Sequence, residues 1–329
     1  MNNAMHKLIS SLILISFVIS ACTAAAPAAP TQPAAENTIA PAATLPPTET
    51  TAPVPTVEPT STLPPTPLPG TELTPLSSLK FGIPWQEMDK SKIPMVAYYG
   101  FNVTRPPFNN PEVRQAFSAA LDTQALTSIY LNNTFYKDAI AARTVIPPSM
   151  LTRDVTADLG IQYDPVLAKQ LFEKAGFTDP STFPKVTLLV IYLDGREYPG
   201  IIIKAAKEAA RMWKENLGVT VIVDAQGVKD LLKDQRTLIS SGKYDIFEHG
   251  VLAGQNDPSD LLSSMFLPDG GNNLTSYTNP KVSDLIQQAG KEIDPAVRLA
   301  TFLTIEGILS KEDLPIIPIF HFTIDGSNW

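Results

Sequence analysis

Between residues 23 and 78 the chain places 14 of its 31 prolines and not one aromatic residue. Runs such as TLPPTET (44–50) and LPPTPLPG (63–70) cannot bury enough apolar surface to offset the entropy of ordering them. Any core must therefore come from the residues that follow. Pro-rich chains favour extended polyproline II at about 3.1 Å per residue, so the segment reads as a tether reaching on the order of 100 Å. A Pro-rich recognition segment and an O-glycosylated stalk are the alternative readings. Three spans result: residues 1–21 before the tether, 22–78 forming it, and a body of globular composition at 79–329.

Residues 1–21 carry one lysine, Lys7, followed by the apolar run 8–19. These are the n- and h-regions of a secretory signal, too short to span a bilayer as a mature helix. The run ends Ile19-Ser20-Ala21-Cys22, which resembles the lipobox of bacterial lipoproteins. That resemblance implies cleavage before Cys22 and acylation of its sulfur and amine; ordinary signal cleavage is the alternative. More than one acyl chain on Cys22 would hold the protein stably at the outer face of the cytoplasmic membrane. Cys22 is also the only cysteine, so the body has no disulfide, cysteine metal site or cysteine nucleophile.

Net charge is −8 and no Lys/Arg cluster stands out, which argues against nucleic acid as a partner. Of the three histidines, His6 lies in the signal, leaving His249 and His321.

The body reads as α/β. Asn110 followed by Pro111 starts a helix over 110–121, Asp122 caps a second through Tyr130, and Asp164-Pro165 opens a third that Gly176 ends. A buried strand is expected at 186–192, a helix at about 201–217, a strand at 219–223, a helix at about 228–240 and a strand at 244–253. This β-α-β-α-β order predicts a partly parallel sheet with helices on its faces. A helical region follows over 279–310. The last segment, 314–322, is expected to be an edge or crossover strand because its prolines cannot donate ladder hydrogen bonds.

The stretch GVLAGQNDP (250–258) begins as an apolar strand and breaks into glycine, amide and acid. Ligands of open α/β sheets bind outside the carboxyl ends of strands, so the break is a site candidate. Gly, Asn and Asp also form turns, and Asp257 can simply cap the next helix. An enzyme would need a nucleophile, a base or a metal set. His249 and Glu248 alternate across the strand and cannot form a dyad, His321 sits in an apolar Pro-rich strand, and no GxSxG, HExxH or Walker-type loop occurs. No catalysis and no cofactor is expected.

The segment YYGFNVTRPPFNNPEVRQAFSAALD (98–122) resembles family 5 of the bacterial extracellular solute-binding proteins, the oligopeptide-, dipeptide- and nickel-binding components of ABC importers. The likeness continues in order through TVIPPSM (144–150), YDPVLAK (163–169), AGF (175–177), WKENLGV (213–219), Tyr244-Asp245, NDP (256–258), YTNP (277–280) and PIIPI (315–319). It implies an α/β lobe of the periplasmic-binding-protein type II kind, with a mixed sheet flanked by helices. It also implies capture of a peptide or other small solute without turnover, and delivery to ABC permease subunits.

Two departures qualify what the resemblance implies. The matched part corresponds to the family's C-terminal lobe, so the N-terminal lobe is expected to be missing or supplied by a second chain. Peptide-binding members also carry a tryptophan and an aspartate in this third strand and its loop. Here Val251 stands at the tryptophan position, Gly254 at the aspartate position and Gln255 at the following aromatic one. The candidate ligand residues are His249, Val251, Ala253, Gly254, Gln255, Asn256 and Asp257. A single-lobe interaction module that no longer binds transport solutes is the other reading.

Overall fold

The computed structural model describes residues 92–151, 159–195, 199–254 and 257–324. The signal, Cys22, the tether, Gln255 and Asn256 lie outside the described residues.

The order of elements is β1 (Ile93–Phe101), α1 (Pro111–Ala119), α2 (Thr123–Tyr130), β2 (Ile140–Ala141), α3 (Pro165–Lys174) and β3 (Val186–Leu193). Then come α4 (Pro199–Leu217), β4 (Val221–Val228), α5 (Leu231–Ser240), β5 (Ile246–Leu252) and α6 (Pro258–Phe266). The chain closes with α7 (Pro280–Lys291), α8 (Pro295–Gly307), a π-helical turn (Ile308–Glu312) and β6 (Ile316–Ile324). Helices begin where their caps predict. Asn110 Oδ1 accepts from Glu112 N at 2.9 Å, Asp122 from Ala125 N at 3.0 Å, and Asp164 from Val166 N and Leu167 N at 2.9 and 3.0 Å.

The six strands form one sheet in the order β2-β6-β1-β5-β3-β4. β3 pairs parallel with β4 and with β5, while β1 pairs antiparallel with both β5 and β6. The sheet is thus mixed, as expected, with its parallel part where the β-α-β-α-β pattern falls.

Three details differ from the sequence reading. β6 is an inner strand, not an edge: it lies between β1 and β2. Its prolines are tolerated because Pro315 precedes the strand and a register shift between Ala97 and Tyr98 absorbs Pro318. β2 serves only His321 and Phe320, so the flank of β6 beside Pro318 has no strand to bond. β4 extends to Val228 through the polar residues Asp224 and Gln226, which an outermost strand accommodates. The helical region over 279–310 is two helices, because Asp294 caps a new start at Pro295, accepting from Ala296 N at 2.8 Å.

Each sheet face carries its own core. One face packs Tyr99, Phe101, Leu188 and Val190 against α1, α2, α3 and α4, with Trp213 and Phe117 fully buried. The other packs Tyr98, Leu189, Phe247 and Val251 against Ile239 of α5 and against α6, α7 and α8. Polar pins join these layers. Arg114 of α1 donates to Phe108 O at 2.6 Å and from Nε to Asp313 O at 2.7 Å, tying the helix to the loop before β6. Trp213 Nε1 and Asn216 Nδ2 of α4 donate to Phe117 O and Ala120 O at 2.9 and 2.8 Å. On the other face Arg298 Nη2 donates to both carboxylate oxygens of Asp257, at 2.9 and 2.8 Å, and Arg298 Nε donates to Ala289 O at 2.6 Å.

Asp257 and Arg298 are 6% and 7% exposed. Removing one partner leaves a buried charge uncompensated, so Arg298→Ala is expected to lower the unfolding free energy by about 3–5 kcal/mol. The exposed pairs that Arg211 makes with Glu208 and Glu215 along α4 carry no such penalty. Urea titration should show a large drop for Arg298→Ala and none for Arg211→Ala; equal effects would refute the assignment.

Candidate functional site

The two crossovers around β3 step in opposite directions: β3 to β4 moves outward, and β4 to β5 returns across β3. Right-handed connections that reverse direction must put their helices on opposite faces. That is the arrangement of α4 and α5 in the two cores. The chain therefore leaves β3 toward one face and β5 toward the other, the topology that in open α/β sheets places a ligand crevice at the carboxyl ends. Asp194 and Gly195 follow the end of β3, and Ala253 and Gly254 follow the end of β5.

Gly254 is exposed, and a Cβ placed on it would lie 3.0 Å from Asp260 Oδ2. A glycine here lets a carboxylate from the first turn of α6 approach the mouth of the crevice. Asp260 also lines a groove of about 530 Å³ between α6, α7 and α8, together with Ser259, Ser263, Gly290, Lys291 and the Asp257–Arg298 pair. Asp260 thus both borders the groove and lies beside Gly254 at the end of β5.

The other predicted site residues fall into distinct environments. Val251 and Ala253 are buried in the core beneath α6. Asp257 is the N-cap of α6, accepting from Ser259 N at 2.9 Å while pairing with Arg298. His249 lies on the α5 side of the sheet, its ring edge-on to Tyr98 with centroids 5.6 Å apart. The Gln235 amide and His249 Nδ1 are in hydrogen-bond contact. His321 is buried, its Nε2 donating to Thr144 O at 2.9 Å.

Glu248 points to the opposite face from His249. Tyr130 OH donates to Glu248 Oε1 at 3.3 Å, and the buried phenol of Tyr99 lies nearby. Burial, only partly offset by Tyr130, raises the Glu248 carboxyl to about 7. Burial, assisted by the charge of Arg236, lowers His249 to about 4. The sheet keeps this acid and this base apart, so they cannot exchange a proton through a shared substrate. Among the described residues no three His, Cys, Asp or Glu side chains are grouped to hold a metal ion.

Two buried charged residues were missed in the sequence, although a signal for them exists. Arg298 and Glu306 sit eight residues apart on the same apolar stripe of α8 as Phe302. Glu306 accepts from Val145 N at 3.1 Å, from Ile146 N, and from Ser310 Oγ at 2.7 Å, fastening the segment after β2 to α8.

The family model for bacterial extracellular solute-binding proteins, family 5 Middle, matches residues 62–273. The oligopeptide-binding protein OppA of Bacillus subtilis is 30% identical over 233 residues, covering 69% of this chain and 40% of its own length. The periplasmic murein peptide-binding protein MppA of Escherichia coli is 29% identical over 232 residues, with the same shares covered. The unliganded open form of the periplasmic murein tripeptide-binding protein MppA aligns with a TM-score of 0.59 at 27% identity, covering 71% of this chain and 43% of that one. The chain spans about 40% of the length of the relatives it matches. Its mixed sheet with helices on both faces is a lobe of the periplasmic-binding-protein fold.

The position of Glu248 has a pH signature. Its folded value, about 7, lies above its ordinary 4.5, so its stabilising contribution is full below 4.5 and is lost as pH rises through about 7. Glu248→Gln keeps an acceptor for Tyr130 and abolishes the titration. The variant should gain on the parent in urea midpoint between about pH 5 and about pH 8, with Glu306 titrating equally in both. Parallel pH profiles would mean that Glu248 ionises freely in the fold.

Proposed function

Because the chain belongs to the bacterial extracellular solute-binding proteins of family 5, we propose that it captures a peptide, without chemical turnover, at the carboxyl edge of β3 and β5. It then delivers the peptide to an ABC-type permease. The observation that carries this reading is the approach of Asp260 Oδ2 to 3.0 Å from the Cβ position of Gly254, which sets a carboxylate of the groove of about 530 Å³ beside the carboxyl end of β5. Sites of this size and placement suit small ligands. Asp260 provides a carboxylate near the position where residue 254 has no side chain, suited to a peptide ammonium. The names of OppA and MppA support peptides as the solute class. The opposing wall would come from a further lobe, in the same polypeptide or in a second chain.

Two further parts of the reading concern residues before the lobe. Cys22 is acylated after signal cleavage and fixes the protein to the outer face of the cytoplasmic membrane. Residues 22–78 form an extended tether that lets the lobe at 79–329 reach solute and permease. Intact-mass analysis of the membrane-extracted protein should find an N-terminus at Cys22 heavier by its acyl chains, and Cys22→Ser should release the protein to the soluble fraction. An unmodified Cys22 would sink the anchor.

A second reading, a lobe acting as a protein-interaction module, is favoured by one observation. Leu131, Phe135 and Ile140, close in sequence around the end of α2 and β2, are 40%, 44% and 68% exposed. Calorimetry of the whole chain with pooled di- to pentapeptides separates the two. Saturable heat that Gly254→Trp abolishes, by filling the crevice, supports peptide capture. A folded chain that gives no saturable heat with any pool supports the interaction module instead.

A further inference from the structure

A second pocket lies at the other end of the sheet, at the amino edge of β5. It encloses about 390 Å³, with Tyr244 and Phe247 among its walls and Asn102, Arg236, Ser240 and Ser276 around it. It shares no residue with the groove at the carboxyl edge. Among the described residues that line it, Arg236 is the one charged side chain, in a chain whose net charge is −8.

Its hydrogen-bonding capacity is biased toward donors. Three nearby carbonyls are bonded to guanidinium groups. Arg105 donates to Gly242 O and, at 2.9 Å, to Tyr244 O, while Arg236 donates to Gly271 O. Asp245 is held by Arg105 at 3.3 Å and by Thr187 N at 2.8 Å, and it does not line the pocket. The Asn102 carbonyl accepts from Thr104 N and Thr104 Oγ1 at 3.3 and 2.8 Å, which leaves its amide nitrogen to donate.

The wall formed by residues 273–276 is held in place. Asn273 Nδ2 donates to Leu267 O and Tyr277 O at 3.0 and 2.8 Å. Ser276 is kept at φ 58°, a left-handed conformation that a non-glycine residue rarely adopts. Such local strain is sustained only where the surroundings over-determine it, and it concentrates at ligand sites.

We propose that this pocket binds a small oxyanion, a carboxylate or phosphate group, with Arg236 as its principal cation and Asn102, Ser240 and Ser276 as further donors. A planar guanidinium flanked by neutral donors matches the oxygen geometry of both groups. The site stands apart from the peptide crevice and does not depend on it.

Titration calorimetry of the whole chain with sodium phosphate and, separately, sodium acetate at constant ionic strength tests the proposal. At least one should bind saturably. Phosphate alone would indicate a phosphoryl ligand, and acetate alone a carboxylate. Arg236→Gln should weaken binding by about tenfold or more, with Arg236→Lys in between. Asn102→Asp, which keeps the acceptors for Thr104 and adds a like charge, should weaken it as well. Peptide heats at the carboxyl edge should be unchanged in Arg236→Gln, so a failure here is separable from a failure of peptide capture. Absence of saturable binding by either anion, or an Arg236→Gln variant with the parent's affinity and melting curve, overturns the proposal.

Discussion

The handedness of two crossovers governs most of what this lobe is. β3 sends one helix outward to β4, and β4 sends the next back past β3 to β5, so right-handed connections place α4 and α5 on opposite faces. With both faces covered, β3 must be apolar throughout, and VTLLVIYL is a nearly continuous apolar run. The same reversal marks the carboxyl ends as the place where open α/β sheets bind ligands. The antiparallel strands then complete the sheet by close approach. Phe247 of β5 packs over Gly100 of β1, and Met95 of β1 over Gly250 of β5, in places a Cβ would occupy. Gly250 is therefore a packing glycine, and the ligand question moves four residues on, to Gly254.

The residues that make the matched segments recognisable are mainly structural pins. Arg114 ties α1 to the turn before β6, and Trp213 and Asn216 tie α4 to the end of α1. Asp245 bonds Thr187 N beside the start of β3, and Asp257 caps α6 while holding Arg298. Each satisfies a buried polar group or neutralises a buried charge, and such groups are costly to leave unpaired. Ordered motifs of this kind identify a fold strongly and a ligand weakly.

How much was legible in the sequence follows from the range of each signal. Helix starts were legible because a cap and its bonded N–H lie two or three residues apart, as at Asn110, Asp122 and Asp164. The parallel strands were legible because apolar runs alternate with amphipathic helices. The place of β6 was not, since its neighbours β1 and β2 lie more than 170 residues away and a bulge hides the meaning of Pro318. The break at Asp294-Pro295 obeyed the same cap rule as the others and was masked by apolar periodicity on both sides. At the candidate site, Asp257 as a cap was readable locally. The approach of Asp260 to Gly254 was not, because it depends on how α6 leaves the sheet.

Charge is distributed along the sheet by the same physics. Its middle holds Glu248 and His249, one on each face, and burial drives both toward their neutral forms. Asp194, Asp230 and Asp260 follow the carboxyl ends of β3, β4 and β5, with Lys229 among them. Arg105 and Arg236 lie at the amino end of β5. This placement is consistent with the ammonium proposed for one edge and the oxyanion proposed for the other, with Asp245 at the amino end paired to Arg105. The two sites have separate linings among the described residues, so a substitution that alters one should leave affinity at the other intact.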